Sequence, residues 1–340
     1  MRYARLGSTG TLVSRICLGG ANFGGANAPP YAVLGGLSPD VVRELVDAAL
    51  HAGVNFIDTA NTYAYGESEE LLGKLLKGRR RDLVLASKVQ NRVGPGPNHV
   101  GQSRVHLFNA LEDSLRRLDT DYLDLYQVHS FDPLTTFDEV LGALDDAVHQ
   151  GKVRYIGCSN LAAWQVMKAL GVSARRGLAP FASVQAYYSL AGRDVEEELV
   201  PMIEDQGLAL TVWSPLAGGF LSGKFTRHGT TEPDARRTGL DFPPLDHERA
   251  FDIVDVLASI GEAHDASAAR VALAWLLAQP VVTSVVVGAR RVDQLADNLA
   301  AVDLELTDDE LASLDAVSRP PERYPGWLQA YTNAERWPSA

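Results

Sequence analysis

The chain has 340 residues, of which 46% are hydrophobic and 22% are charged, a composition typical of a globular protein with a large buried core. Its 43 acidic and 31 basic residues give a formal net charge of -12, which repels nucleic acid and anionic membranes, so neither is predicted as a partner. Its two cysteines, Cys17 and Cys158, each lie within a predicted strand, so we predict no disulfide and no metal site.

The segment MRYARLGSTGTLVSRI at the N-terminus has no uninterrupted apolar core of the kind found in signal peptides. The longest apolar run, residues 281–288, is far shorter than the roughly 20 residues that span a bilayer. We therefore expect a cytoplasmic protein whose cysteines stay reduced.

A short hairpin is predicted first, because residues 3–6 and 12–14 flank the turn-rich sequence GSTG. Short apolar runs typical of buried strands then recur along the chain. They cover residues 16–18, 55–57, 83–86, 123–128, 153–156, 181–184, 208–212 and 283–287. Segments of helical period separate them, two of which follow the good N-cap residues Ser38 and Ser103.

Two segments interrupt this alternation. A long loop rich in Gly, Pro and Arg lies between residues 216 and 247, and two helical patterns, 251–264 and 267–279, follow it before the eighth strand. Residues 318–340 contain four prolines and two tryptophans and are predicted to form a C-terminal tail over the surface. No stretch resembles an interdomain linker, so we predict a single domain over residues 1–340.

Alternating strands and helices predict a parallel sheet covered by helices, either open and doubly wound or closed as a barrel. The residues at the strand ends distinguish the two. Six consecutive strands end in polar or aromatic groups, namely Asp58, Lys88, His129, Ser159 with Asn160, Gln185, and Trp213 with Ser214. In an open sheet with strands about 4.8 Å apart, the outermost of these would be more than about 20 Å from each other. We therefore predict an α/β fold of the (β/α)8 TIM barrel type, with its site at the C-terminal face.

Three of these residues, Asp58, Lys88 and His129, together with Tyr63, suit proton transfer to a carbonyl oxygen. Tyrosine has a pKa near 10, and a neighbouring ammonium such as Lys88 favours its phenolate. Asp58 keeps the lysine charged, and Tyr63 lies five residues after Asp58 on the following loop. We predict that Tyr63 acts as general acid and that His129 orients the substrate oxygen.

The motifs DTANTY, LASK and DLYQVH, which contain these four residues, resemble the aldo-keto reductase superfamily. The segments GCSN, SVQAYYSL, VWSPLAGGFLSGK and VVVGARRVDQLADN resemble its cofactor-binding segments, and the similarity extends over residues 1–317. The resemblance implies carbonyl reduction with NADPH, bound without a Rossmann domain. It implies that the carboxamide of the cofactor is held by Ser159, Asn160 and Gln185 and that its nicotinamide ring stacks on Trp213. It also implies that the pyrophosphate is bound by Ser214, Leu216, Gly218 and Lys224, and the adenosine end by Gly288, Arg290, Gln294 and Asn298.

The preference for NADP(H) is predicted from Arg290 and Arg291, two guanidinium groups at a helix start that suit a 2′-phosphate. Loop residues are expected to choose the small-molecule substrate, with Phe23, Tyr65 and Trp327 as candidates. Two alternatives remain open: a non-catalytic NADPH-binding subunit similar to potassium-channel β subunits, and a barrel aldolase that forms a Schiff base at Lys88. Neither the substrate nor the oligomeric state follows from the sequence.

Overall fold

The computed structural model describes residues 1–26, 31–232, 235–334 and 336. Eight parallel strands form a closed barrel in the order β12-β3-β4-β5-β6-β7-β8-β9, with helices around it. The helices and strands in chain order are β1 (Tyr3–Arg5), β2 (Leu12–Ser14), β3 (Ile16–Gly19), α1 (Tyr31–Leu34), α2 (Pro39–His51), β4 (Phe56–Asp58), α3 (Glu67–Leu75), β5 (Val84–Val89), α4 (Arg104–Arg117), β6 (Leu123–Val128), α5 (Phe137–His149), β7 (Val153–Ser159), α6 (Ala163–Arg176), β8 (Phe181–Tyr187), α7 (Leu199–Gln206), β9 (Ala209–Trp213), β10 (Phe225–Thr226), β11 (Gly229–Thr230), α8 (Arg236–Gly239), α9 (His247–His264), α10 (Ala268–Ala278), β12 (Val282–Val287), α11 (Val292–Leu299), α12 (Asp308–Ser318) and α13 (Gly326–Asn333).

The predicted barrel is confirmed, and each predicted strand run overlaps one of the eight barrel strands. The barrel closes because β12 pairs in parallel with both β3 and β9. Helix starts also follow the sequence: Ser38 caps α2 and Ser103 caps α4, each by accepting a backbone N–H bond. The two helices expected before the last strand are α9 and α10, although α9 begins at His247, four residues before the predicted pattern.

The long loop between β9 and α9 has more structure than its sequence predicts. Its described part contains a 3-10 helix at Ala217–Ser222, the two-stranded pair β10–β11 and the short helix α8. Each of these is too short to display a hydrophobic period. In the tail, α13 has no buried residue, in keeping with a segment on the surface, and residues 335 and 337–340 lie outside the described residues.

The hairpin of β1 and β2 closes the N-terminal end of the barrel. Its residues Leu6 and Val13 belong to a buried cluster with side chains inside the barrel, including Cys17, Phe56 and Leu125. These side chains form an apolar layer in the interior at that end of the barrel. The predicted site residues lie toward the opposite, C-terminal end, where the catalytic residues of such barrels are found.

The larger hydrophobic cluster lies between the barrel and its helices, and both cysteines are fully buried and free, as predicted for strand residues. Among the helices of the described residues, none has the combination of length and apolar character required for crossing a bilayer.

One glycine marks a close helix contact. In α3, a Cβ on Gly73 would lie 2.4 Å from the backbone oxygen of Arg117 at the end of α4. In α6, by contrast, no described atom lies within 4 Å of the Cβ position of Gly171. The first glycine is required by packing, and the second is an exposed helix position where alanine is preferred.

We expect Gly73→Ala to lower the free energy of unfolding by about 1–3 kcal/mol, because the new methyl group forces α3 away from α4. The matched change Gly171→Ala should instead raise it by about 0.5–1 kcal/mol through helix propensity. Urea denaturation followed by circular dichroism measures both. Equal effects of the two substitutions would contradict the packing argument.

Candidate active site

A cavity of about 1260 Å³ opens at the C-terminal end of the barrel. It is lined by strand ends and by the loops that follow them, including Asp58, Tyr63, His129, Gln185 and Trp213. Lys88 lies just beneath it and does not line its wall. The predicted catalytic residues are thus gathered from three neighbouring strands, β4, β5 and β6, and from the loop after β4.

Lys88 is fully buried, and its ammonium has three partners. It donates to Oδ1 of Asp58, to the backbone oxygen of Thr59 at 2.9 Å, and to the hydroxyl of Tyr63 at 3.3 Å. Asp58 is 2% exposed and is the counter-charge that makes burial of the lysine possible. The tyrosine hydroxyl is therefore fixed against a cation from below while its ring faces the cavity.

The protonation states of this cluster follow from burial and charge. Burial lowers the pKa of Lys88, but Asp58 and Tyr63 outweigh it, so the pKa of the lysine lies above its ordinary value. Burial raises the pKa of Tyr63, and the opposing effect of Lys88 does not cancel it. The expectation of a lowered tyrosine pKa is thus not met, because desolvation of the phenolate exceeds its attraction to the ammonium.

His129 follows β6 and packs edge-on against Tyr63, with ring centroids 5.8 Å apart. Burial and the nearby charge of Lys88 lower the pKa of His129 to about 3. The imidazole is therefore neutral at physiological pH. It can donate or accept a hydrogen bond at the substrate oxygen but brings no charge to it.

The second carboxylate oxygen of Asp58 is held by two amides. Gln127 of β6 donates to Oδ2 at 3.1 Å and Gln185 of β8 donates to the same atom at 3.0 Å. The bond to Gln185 crosses the barrel, because β8 lies four strands from β4 in the closed order. Gln127 was not predicted as a site residue from the sequence, although it lies on β6 two residues before His129, a spacing that places both side chains on the same side of the chain.

The twelve predicted cofactor-binding residues all line the cavity. They are Ser159, Asn160, Gln185, Trp213, Ser214, Leu216, Gly218, Lys224, Gly288, Arg290, Gln294 and Asn298.

Several of these residues are already engaged with each other or with neighbours. Trp213 Nε1 donates to Oδ1 of Asn160 at 2.9 Å, and the indole stacks on Phe242 with centroids 5.9 Å apart and planes 9° apart. Lys224 forms an ion pair with Glu232 at 2.9 Å. A bound anion must therefore compete with Glu232 for this lysine.

Backbone strain marks the same region. Asn160 and Ser214, at the ends of β7 and β9, have φ values of 56° and 51°, and Ala64 and Tyr65 beside Tyr63 have 49° and 55°. Left-handed non-glycine residues are uncommon and cluster at functional sites, where the surrounding structure maintains them. Three of these residues, Tyr65, Asn160 and Ser214, are predicted site residues, whereas Asp119 and Asp265, which also have positive φ, lie at helix ends away from the cavity.

Two guanidinium groups meet at the far end of the cavity. Arg236 of α8 lines the cavity, and no partner for its Nε lies among the described residues. Burial first, and then repulsion from Arg290, lower the pKa of Arg236. Arg291 is instead exposed and paired with Asp293 at 3.0 Å. Arg236 is therefore a second cation beside Arg290 that the sequence did not reveal, since its loop has no recognisable period.

The three predicted substrate residues are not part of the cavity wall. Phe23 is buried in the hydrophobic core at 1% exposure, while Tyr65 and Trp327 are largely exposed. Tyr65 packs edge-on against Tyr31, which does line the cavity and whose hydroxyl contacts Thr62 Oγ1 at 2.8 Å. Tyr31 is thus the aromatic neighbour of the site that sequence reasoning missed, and substrate contact by the other three stays a prediction.

A model of the aldo/keto reductase family matches residues 15–319. The chain belongs to this family. The match confirms the predicted family and the broader expectation of an oxidoreductase. Members of the family generally use a nicotinamide cofactor.

Three related proteins show the breadth of this aldo/keto reductase branch. The chain is 38% identical to an uncharacterised oxidoreductase, YrpG, of Bacillus subtilis, covering 93% of this chain and 96% of the relative. It is 32% identical to the versiconal hemiacetal acetate reductase of Aspergillus parasiticus, over 96% and 99%. It is 34% identical to a probable voltage-gated potassium channel subunit beta of Oryza sativa subsp. japonica, over 93% and 96%.

The depressed pKa of His129 gives a test of its neutral state. Its folded-state pKa of about 3 lies below the 6.5 of an unperturbed histidine, so below pH 6.5 the unfolded chain gains a proton that the folded chain refuses. The free energy of unfolding should therefore fall by about 1.4 kcal/mol per pH unit as the pH decreases from there. Chemical denaturation at about pH 7 and about pH 5 measures this fall. Between the two pH values, the loss of unfolding free energy should be about 2 kcal/mol smaller in His129→Gln than in the unmodified protein. Identical slopes in the two proteins would refute a neutral, buried histidine.

Proposed function

We propose that this protein is an NADPH-dependent oxidoreductase that reduces aldehydes or ketones to alcohols, with Tyr63 as general acid. The observation that carries the proposal is the contact of the Tyr63 hydroxyl with the buried Lys88 ammonium, on the floor of a large cavity and beside His129. This arrangement suits a carbonyl oxygen that gains negative charge and then a proton.

Each residue of the cluster has a part in the proposed reaction. The raised pKa of Tyr63 keeps its phenol protonated at neutral pH and ready to donate to the carbonyl oxygen. Lys88 stabilises the phenolate left behind, and Asp58 keeps the lysine protonated and immobile. Neutral His129 hydrogen-bonds the carbonyl oxygen and orients it beside Tyr63. A bound nicotinamide cofactor would supply the hydride to the carbonyl carbon.

The residues present fit a phosphorylated dinucleotide. Unpartnered buried polar atoms on residues of the cavity wall, Oδ1 of Asn22 and Nε of Arg236, offer hydrogen-bonding capacity that no described residue uses. Arg236 and Arg290 lie close enough to repel each other and together create local positive charge in a chain that is acidic overall. This charge suits a 2′-phosphate and hence favours NADP over NAD. Ser159, Asn160 and Gln185 would hold the carboxamide end, as the family resemblance implies.

Aromatic carbonyl compounds are the substrate class that we propose. Tyr31, Trp213 and Phe242 line the same cavity as Tyr63 and His129, which suits a flat ring with a reactive carbonyl. A relative named as an aryl-alcohol dehydrogenase, 33% identical to this chain, supports this choice.

The aldolase alternative is disfavoured by the state of Lys88. A Schiff-base lysine must be uncharged and reachable by the substrate, whereas Lys88 is fully buried, has a raised pKa and uses its ammonium on three acceptors.

The alternative of a non-catalytic NADPH-binding subunit has one specific observation in its favour, the similarity to proteins named as probable voltage-gated potassium channel subunits beta. It predicts cofactor binding without turnover. Purified protein that binds NADPH but consumes none with a broad panel of aromatic aldehydes would establish it over the reductase proposal.

Tyr63→Phe should lower kcat by at least about a hundredfold, because the phenol that donates the proton is removed. NADPH binding, followed by nicotinamide fluorescence, should persist. Tyr3→Phe is the matched control, since Tyr3 lies on the hairpin at the other end of the barrel. Full activity in Tyr63→Phe would rule out its role as general acid.

Arg236→Ala should weaken NADPH binding by about ten- to a hundredfold, the loss expected for a charge-assisted hydrogen bond to phosphate, and leave NADH binding nearly unchanged. Arg227→Ala serves as the control, because Arg227 lies in the same loop but pairs with Glu248 and Asp252 at the surface. Fluorescence titration with each cofactor measures the ratio. Parallel losses for NADPH and NADH would contradict the assignment of Arg236 to the phosphate.

A further inference from the structure

We propose that Gln127 is a positioning residue that holds the Asp58 carboxylate in the orientation required by Lys88 and Tyr63. The inference rests on the proposed function of Tyr63 as proton donor. Gln127 is completely buried in the middle of the barrel and does not line the cavity, so it has no access to substrate or cofactor.

The geometry divides the two oxygens of Asp58 between different partners. Oδ1 accepts from Lys88, whereas Oδ2 accepts from the amides of Gln127 at 3.1 Å and Gln185 at 3.0 Å. With both oxygens occupied, the carboxylate cannot rotate to give the lysine a second oxygen. The Lys88 ammonium consequently keeps one of its hydrogens for the hydroxyl of Tyr63.

The two glutamines are not equivalent. Gln185 lines the cavity, where it is also a candidate to bind the cofactor carboxamide, so its bond to Asp58 is open to competition. Gln127 lies on β6, two residues after Leu125, and is completely buried. It does not line the cavity, so its bond to Asp58 is independent of what occupies the cavity. Gln127 is thus the permanent donor to the buried carboxylate.

Chemistry also distinguishes an amide from the alternatives at this place. Glutamine is neutral, so it satisfies a buried anion without competing with Lys88 for its charge. A second cation here would weaken the ion pair, and an apolar side chain would leave Oδ2 with a single donor in a medium where an unsatisfied carboxylate is costly.

Loss of the Gln127 donor should raise the pKa of Tyr63, and two responses of Asp58 lead to this result. If Asp58 stays ionised, it turns toward Lys88 and draws the ammonium away from the phenol. If Asp58 instead takes up a proton, the buried lysine loses its counter-charge and its own proton. Both responses remove positive charge from the phenolate.

The test uses Gln127→Leu, which keeps the approximate volume but removes the donor. Its control is Ser183→Ala. Ser183 is an equally buried polar residue of the barrel interior, its Oγ has no partner among the described residues, and it neighbours Gln127 through the space beside Gly157. A Cβ on Gly157 would lie 2.5 Å from Ser183 Oγ and 3.2 Å from Gln127 Cγ.

In Gln127→Leu we expect kcat to fall by about tenfold or more, with KM unchanged because the residue does not reach the cavity. In the cofactor-free protein, phenolate absorbance of Tyr63, isolated by subtracting the Tyr63→Phe background, should appear about one pH unit higher. The Ser183→Ala protein should match the unmodified protein in all three measurements.

Gln127→Glu provides a second, isosteric variant. A glutamic acid beside Asp58 has a raised pKa and donates to Oδ2 while protonated, so activity should be near normal at low pH and decline as that proton is lost. A structural role alone would give no such pH dependence.

Failures of the two proposals can be told apart. Turnover retained in Tyr63→Phe would overturn the proposed function. Loss of turnover in Tyr63→Phe, together with a Gln127→Leu protein that behaves like Ser183→Ala, would overturn the positioning role alone.

Discussion

A lysine ammonium buried inside a barrel is stable only where a counter-charge and further acceptors surround it, and this requirement organises the site. Lys88 meets it with Asp58, the backbone of Thr59 and the phenol of Tyr63. Asp58 in turn requires donors for its free oxygen, and these come from β6 and, across the interior, from β8. An open sheet could not supply the last of these bonds, because β8 would lie too far from β4. The charge pair and the closure of the barrel thus depend on each other.

The barrel strands could be predicted from the sequence because buried parallel strands are short and apolar and recur at regular intervals along the chain. A polar residue at the end of such a run is conspicuous, which is why Asp58, Lys88 and His129 could be identified together. The sequence fails where structure depends on tertiary contact. Helix α8 with Arg236 and the pair β10–β11 are too short to carry a period, and Gln127 reads as an ordinary strand residue until its partner is known.

Burial determines the direction in which the pKa values of Tyr63 and His129 shift, and the sequence alone does not show how deeply these groups are buried. The sequence suggests that Lys88 lowers the pKa of Tyr63, yet desolvation of the phenolate prevails and the net shift is upward. The same two influences act in concert on His129, where burial and the lysine both favour the neutral ring. The site therefore combines a protonated phenol with an uncharged imidazole, a pairing suited to donating a proton to oxygen at neutral pH.

The hairpin at the other end of the barrel also limits how protons travel. Leu6 and Val13, together with Cys17, Phe56 and Leu125, form a buried apolar cluster at that end of the barrel, and such side chains are poor proton carriers. In the proposed reaction, Tyr63 ends each cycle as a phenolate and must be recharged before the next. Tyr63 lines the cavity, so its replacement proton can arrive by the route that substrate and product use. In that proposed reaction, the passage of substrate and product through the cavity would also govern when the phenol is protonated again.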